Sequence, residues 1–422
     1  MVKILSAIFL LSVCGSAQSA LPAELSCGPV SNTSASPRYR GSRGNAPPSH
    51  VSKLPIQSLL YKGSDTRIYV RYMPWWGDPK HRDIGYRADD PEQVARQVAD
   101  MSSRGIRGAI VDWYGPHPGI KHDSSLLLIK EAERQHFEFA VSEDGGALGD
   151  CQKHGCDLNQ QLISDLRYAE DHFEGSPSYI RFDGRPAVFF FGLEKYSIDW
   201  ARVQHSLSMR PVFFFRNSGS LNDPKADGAY AWIAPEAAGP SDPMGLKYLD
   251  NFYSKAQHSD KIVMGSAYKG FDDADASWGK GRVIDAQCGQ TWLETFAEAD
   301  RFYSAKHQLP ALIIPTWNDY EEGTEIESGV DNCLNIEASL NNGTLNWRVS
   351  GGPEDTIDHY AVLAQVGPQW VEAADLSPGS HSIKLSQLRA AAEPAAVCVE
   401  AVGKPSIVNH FSQPIKSGNF KP

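Results

Sequence analysis

From Trp317 to Glu327 the chain reads WNDYEEGTEIE, one aspartate and four glutamates close behind the apolar run ALIIP. Carboxyl groups crowded at a strand end repel one another and resist ionising together. Folding gains nothing from that crowding, so a chemical use suggests itself. Asp319 and Glu322 are three residues apart, and one turn of chain can aim both the same way. A protonated carboxyl beside an ionised one is the pair that glycosidic cleavage requires: one supplies a proton to the leaving oxygen, the other acts as base or nucleophile. Asp319 and Glu322 are therefore the candidate catalytic residues. Glu321, between them, is expected to point away, and Glu325 and Glu327 to make structural salt bridges. The plainer alternative is a solvated loop whose acids cap its turns, as charge runs usually are.

Something must hold that loop in place. Eight short apolar runs recur: RIYVRYM (67–73), GAIVDW (108–113), FEFAVSE (137–143), AVFFFG (187–192), PVFFF (211–215), GAYAWI (228–233), KIVMGSA (261–267) and ALIIPTW (311–317). Most are continuous rather than alternating, as strands buried on both faces of a parallel sheet are. Helical segments separate several of them. DDPEQVARQVADMSSRG opens on Asp and Pro and closes on Gly, and DSSLLLIKEAERQ and QTWLETFAEADRFYSAK carry helical apolar spacing. The pattern predicts an α/β fold, an eight-stranded (β/α) barrel of the TIM type over residues 61–331. An open doubly wound sheet is the alternative, but no GxGxxG follows the first strand. From 332 to 422 helical segments nearly vanish. TLNWRVS alternates, placing Leu345, Trp347 and Val349 on one face, and a small all-β sandwich is expected there. It looks like a fibronectin type III module, serving as a spacer or stabilising cap.

In such a barrel the C-terminal strand ends form the active-site mouth. The acids after the eighth strand then lie at that mouth. Trp75 and Trp76 follow strand one, Asp112, Trp113 and Tyr114 end strand two, and Glu143 and Asp144 end strand three. Asn217, Trp232 and Tyr268 end strands five, six and seven, and Trp317 and Asn318 lead into the acids. Sugar rings offer apolar faces to aromatics and hydroxyls to carboxylates and amides, so this set is the expected glycan-binding rim. For any one tryptophan, core packing is the commoner role. Asp112 and Glu143 are the reserve carboxylates. Histidines 81, 117 and 122 are scattered, no HExxH, P-loop or GxSxG occurs, and neither metal nor cofactor is expected.

The chain has 422 residues and a formal net charge of −11, with no long basic run, which argues against a nucleic-acid partner. The N-terminus, MVKILSAIFLLSVCGSAQSALPAE, has a basic residue, a short apolar run and small residues near Ser19 and Ala20. That is the layout of a secretory signal peptide over 1–20, so an extracellular or periplasmic protein is expected, with no membrane partner after cleavage. Residues 21–60 read as a loosely ordered leader rich in Ser, Pro, Gly and Arg. Cleavage removes Cys14 and leaves Cys27, Cys151, Cys156, Cys288, Cys333 and Cys398, an even set that suggests disulfides. Cys151 and Cys156 form the best local pair. Asn32 and Asn342 begin glycosylation sequons.

WNDYEEGTEIE resembles the WNEWHEGT-type signature of glycoside hydrolase family 99, the endo-α-mannosidases and endo-α-mannanases. It is also similar to the WNDY-x-E signature of family 71, the α-1,3-glucanases. YMPWWGDPKHRDIGY, the DDP helix with its Gly-rich entry into strand two, SYIRFDGRPAVFFFG and GFDDADASWGKGR resemble the same group, over residues 67–328. The resemblance implies a barrel that cleaves α-linked polysaccharide internally without a metal, with Asp319 in the place of the base and Glu322 in that of the acid. Asp319 departs from the family 99 glutamate and matches family 71. The family 99 base takes the sugar 2-hydroxyl proton and the reaction retains; the family 71 base activates water and the reaction inverts. The shorter Asp319 leaves more room for a water, which inversion needs. The competing expectation is a catalytically silent carbohydrate-binding protein on the same scaffold. Only the enzyme needs both acids, and both are present.

Overall fold

Apolar runs that bury both faces can only pair side by side beneath a covering of helices. A computed structural model describes Cys27, residues 50–389, residues 394–416 and Gly418. The expected signal peptide, the leader up to residue 49 apart from Cys27, and the Asn32 sequon lie outside the described residues. Each apolar run forms a strand: β1 (Arg67–Tyr72), β2 (Gly108–Trp113), β3 (Glu138–Asp144), β4 (Arg185–Phe191), β5 (Val212–Arg216), β6 (Gly228–Tyr230), β7 (Ile262–Ser266) and β8 (Ala311–Ile314). Every neighbouring pair is parallel. β8 returns to β1 through Tyr69↔Ile313, and β3 joins β4 through Val141↔Val188. The sheet is a closed barrel, as the sequence predicts. A two-residue strand, Arg181–Phe182, adds to β4 antiparallel. β8 stops earlier than the expected run, because Pro315 has no N–H to give the ladder.

The helices cover the outside. α1 (Pro91–Ser103) starts as DDP predicts: Asp90 caps Glu92 N and Pro91 takes the first position. Val94, Val98 and Met101 recur at helical spacing and are fully buried. α2 (Ile120–Gln135), α3 (Gly145–Lys153), α4 (Leu158–His172), α5 (Trp200–His205), α6 (Leu246–Ala256) and α7 (Gln290–Asp300) follow. Cys151 on α3 is bonded to Cys156 in the turn before α4.

After residue 334 the described residues form strands joined by loops and short 3₁₀ turns, with no α-helix among them. β9 (Asn335–Asn341), β10 (Thr344–Ser350) and β13 (Ser382–Lys384) make one antiparallel sheet. β11 (Ile357–Val366), β12 (Gln369–Leu376), β14 (Ala396–Gly403), β15 (His410–Phe411) and β16 (Ile415–Lys416) make another. Ile336, Leu345 and Trp347 from the first sheet share a core with Tyr360, Val362, Val397 and Val399 from the second. The β9–β10 hairpin turns at Asn342-Gly343, both at positive φ, and places the Asn342 sequon at its tip.

This β unit is tied to the barrel. Cys288, before α7, is bonded to Cys333 ahead of β9, whereas Cys27, from the leader, is bonded to Cys398 on β14. The indole N–H of Trp292 on α7 donates to the Pro405 carbonyl at 2.9 Å, and Ile407 and Val330 join the barrel's own core. Among the described residues no helix is long and apolar enough to cross a membrane.

Candidate active site

The loop after β8 folds around Asp319. Its backbone N–H donates to Thr316 Oγ1 at 2.8 Å, and its carbonyl accepts from Thr324 N at 3.1 Å. Its carboxylate Oδ1 accepts from the N–H groups of Glu321 and Glu322, both at 3.0 Å. Both donors reach one oxygen, so Oδ2 is the one left for a substrate. Burial, with the charge of Glu322 adding, holds the Asp319 carboxyl well above the usual carboxylate range; the two N–H donors pull the other way. Burial likewise raises Glu322, with the charges of Asp273 and Asp112 adding and the Trp278 indole and Arg282 opposing. Both shifts run the same way, towards the protonated form, and two neighbouring carboxyls resist ionising together. The sequence reading keeps Asp319 ionised; its burial works against that and its backbone donors work for it.

Below these acids lies a buried ionic group. Along a strand, alternate side chains face the barrel interior. Arg71 on β1 and Asp112 on β2 both face inward and form an ion pair. Arg71 also donates to Ser142 Oγ at 2.7 Å, lies 4.0 Å from Asp144 and stacks over the Phe191 ring at 4.4 Å. Asp144 is pushed up to about 7 by burial and the charge of Asp112, against the pull of Arg71. Tyr114 lies beside Asp112 and Asp144, with Lys121 Nζ 3.6 Å from its ring centroid. Trp232 packs 5.2 Å from Phe191 and 5.4 Å from the Arg71 guanidinium, so it borders the same space.

Aromatic rings make the wall on the Glu322 side. Trp75 stacks on His81 with centroids 4.7 Å apart, and meets Trp278 edge-on at 6.2 Å. Trp278 is 42% exposed, and its indole N–H donates to Glu322 Oε1 at 3.0 Å.

The structure gathers Asp319, Glu322, Asp112, Tyr114, Trp75 and Trp232 around the mouth. It places the other candidates elsewhere. Trp113 and Glu143 are register partners and face the helices, because each sits one residue off the inward parity of Asp112 and Ser142. Trp113 packs against Tyr168 and Phe173, and Glu143 is fully buried beside Asp165 of α4. Trp76 is fully buried and donates to the Asn318 carbonyl at 2.9 Å. The Asn318 amide pairs with both N–H and carbonyl of Met73, clipping the loop after β1 to the loop after β8. Trp317 lies under Arg104, and the Tyr268 hydroxyl donates to the Met244 and Gly245 carbonyls. Asn217 sits on the outer rim, accepting from the Tyr248 hydroxyl at 2.7 Å. Glu321 turns away from the pair as expected, towards His81 and Arg82. Glu325 makes the expected salt bridge, to Lys269 at 2.6 Å. Glu327 instead accepts from three neutral donors, Tyr86, Tyr320 and Gln97, while Arg104 donates to its backbone carbonyl rather than to its carboxylate.

Sequence reasoning missed Arg71, Trp278 and His81. A lone arginine inside the apolar run RIYVRYM was a signal for the first. Trp278 and His81 lie in irregular loops without periodicity. Among the described residues no group of three or more His, Cys, Asp or Glu is placed to hold a metal.

No family model and no curated protein matches the sequence. Solved structures do. A family GH99 endo-alpha-mannosidase from Bacteroides thetaiotaomicron, in complex with Bis-Tris-propane, is 18% identical, covering 66% of this chain and 90% of its own, with a TM-score of 0.49. Another structure described as the same enzyme is 17% identical over 63% of this chain and 88% of its own, with a TM-score of 0.46. A glycoside hydrolase-like protein is 13% identical over 64% and 88%, with a TM-score of 0.47. The fold assignment rests on the strand order and register above, not on these likenesses.

Proposed function

We propose that this chain is a secreted endo-acting glycoside hydrolase that cleaves α-linked polysaccharide, an α-mannan or α-glucan. The observation that carries the reading is the pair of buried Asp319 and half-buried Glu322 in the loop that leaves the C-terminal end of β8, with Asp319 Oδ1 bonded to the Glu322 N–H. Glu322 is the general acid. Its carboxyl, shifted towards the protonated form by burial, gives a proton to the leaving glycosidic oxygen. Asp319 is the general base, because its Oδ1 already accepts two N–H bonds, which favour the ionised form. Its Oδ2 takes a proton from water or from the sugar 2-hydroxyl. Trp75, Trp232 and Trp278 offer ring faces and edges to the sugar, and Asp112 and Asp144 offer acceptors to its hydroxyls.

The resemblance of WNDYEEGTEIE to the family 99 and family 71 signatures supports the same chemistry. Disulfides and the tripartite N-terminus support export. Residues 61–331 form the catalytic unit in this reading. Residues 332–422, fibronectin type III-like, stabilise it through Trp292 and Cys333. Incubating purified protein with a panel of α-mannans and α-glucans tests the activity through release of oligosaccharides. Proton NMR of the first-formed product then gives its anomer: inversion supports water activation, and retention supports the 2-hydroxyl route.

A further inference from the structure

Three mouth loops meet in a ring cluster beside Glu322. The loop after β1 brings Trp75 and His81, the loop after β7 brings Trp278, and the loop after β8 brings Glu321 and Glu322. An exposed tryptophan on a loop has water on its outer face, so its position is set by what it touches inside. Trp278 touches Trp75 and His81, the latter edge-on at 5.9 Å. His81 is in turn held by Glu321, whose Oε2 lies 2.8 Å from its Nδ1. The other oxygen of Glu321 accepts from Arg82 N at 3.1 Å. The Arg82 guanidinium pairs with Asp275 at 2.7 Å, three residues before Trp278. Glu321 therefore has two routes to Trp278, one through rings and one through an ion pair. Its side chain is 3% exposed, so its bonds are shielded from competing water.

We propose that Glu321 is a positioning residue for Glu322: by fixing His81 and Arg82 it fixes Trp278, whose indole N–H sets the direction of the Glu322 carboxyl. The catalytic meaning rests on the reading of Glu322 as general acid; the geometry does not. An acid that must meet a leaving oxygen needs its carboxyl held to a fraction of an ångström. Glu322 has its carbonyl tied to Asp272 N at 2.9 Å, and Trp278 supplies the hold on the side chain.

The charges facing Glu322 are Asp319, Asp112 and Asp273, together with its chain neighbour Glu321, which disfavour its ionised form, and Arg282, which favours it. The Trp278 N–H also favours the ionised form. Losing that donor raises the Glu322 pKa. Removing the charge of Glu321, by itself, would lower it. The two explanations of Glu321 thus predict opposite signs.

Carbon-13 NMR titration of the Glu322 carboxyl in the parent, Trp278→Phe, Glu321→Gln and His81→Ala proteins reads the sign directly. Positioning predicts a rise of about half to one pH unit in all three variants, the size expected from one lost hydrogen bond. An unchanged or lowered value in Glu321→Gln overturns the proposal. Should that variant fail to fold, Glu321→Asp, which keeps the charge and shortens the reach to His81 and Arg82, decides by the same criterion. The titration needs no substrate. A negative glycan screen would leave its result standing, and an unmoved pKa would leave the acid pair standing.

Discussion

Arg71 and Asp112 form an ion pair inside the barrel with side chains only 1% and 3% exposed. Water screens the pair poorly there. Removing one leaves an uncompensated charge in the core, which costs about 3–5 kcal/mol. Arg71→Met should therefore lower the unfolding free energy by about that amount, read from urea denaturation. The double variant Arg71→Met with Asp112→Leu should recover most of it, since no lone charge remains. A single variant within 1 kcal/mol of the parent would show that the charge is relieved by some other group.

Buried carboxyls also set a pH dependence. Asp144, Glu327 and Glu400 are each pushed up to about 7, and Glu174 to about 8, in every case chiefly by burial. Each is protonated more readily folded than unfolded, so the native state binds more protons across this range. The stabilising contribution is full below the unfolded carboxylate range and is lost as pH rises through the folded values. The lowered imidazoles of His122 and His410 oppose this only below the ordinary histidine range. Unfolding free energy should thus fall steadily from pH 6.5 to pH 8, measured by urea titration at each pH. A rise over that window would contradict the burial argument.

The Cys288–Cys333 bond closes a loop of 45 residues between barrel and β unit. Chain-entropy reasoning puts its contribution at about 4 kcal/mol. Cys288→Ser with Cys333→Ser should lower the calorimetric melting temperature clearly. Cys151→Ser with Cys156→Ser, spanning a separation of 5 residues, should lower it less. An equal effect of the two pairs would count against an unfolded-state origin.

The barrel was legible because its strands are continuous apolar runs and its first crossover helix carries an Asp-Pro start. Both are local signals. The acid pair was legible because it directly follows a strand. Run boundaries alone do not carry inward parity, so the sequence offers the adjacent residues Asp112 and Trp113, and Glu143 and Asp144, to the mouth alike. Only one of each pair can face it, and Arg71 within its apolar run held the clue. The apparent mouth tryptophan Trp76 is a packing residue because Asn318 draws its loop down onto the loop after β8. Trp278 and His81 were out of reach, since their meeting depends on three loops distant in sequence and on one carboxylate, Glu321, that joins them.

The central claim is that Asp319 and Glu322 work as base and acid on an α-linked glycan. The direct measurement is the turnover of the parent, Asp319→Asn and Glu322→Gln proteins on one polysaccharide that the parent cleaves. Both substitutions keep size and remove only the titrating group. Each should lose at least about 100-fold in rate, the lower end of what general acid–base help supplies, while still binding the glycan. Glu322→Gln should regain activity on a substrate with an activated leaving group, and Asp319→Asn should not. Near-parental rates for both variants on the polysaccharide would contradict the account and turn attention to Asp112 and Asp144.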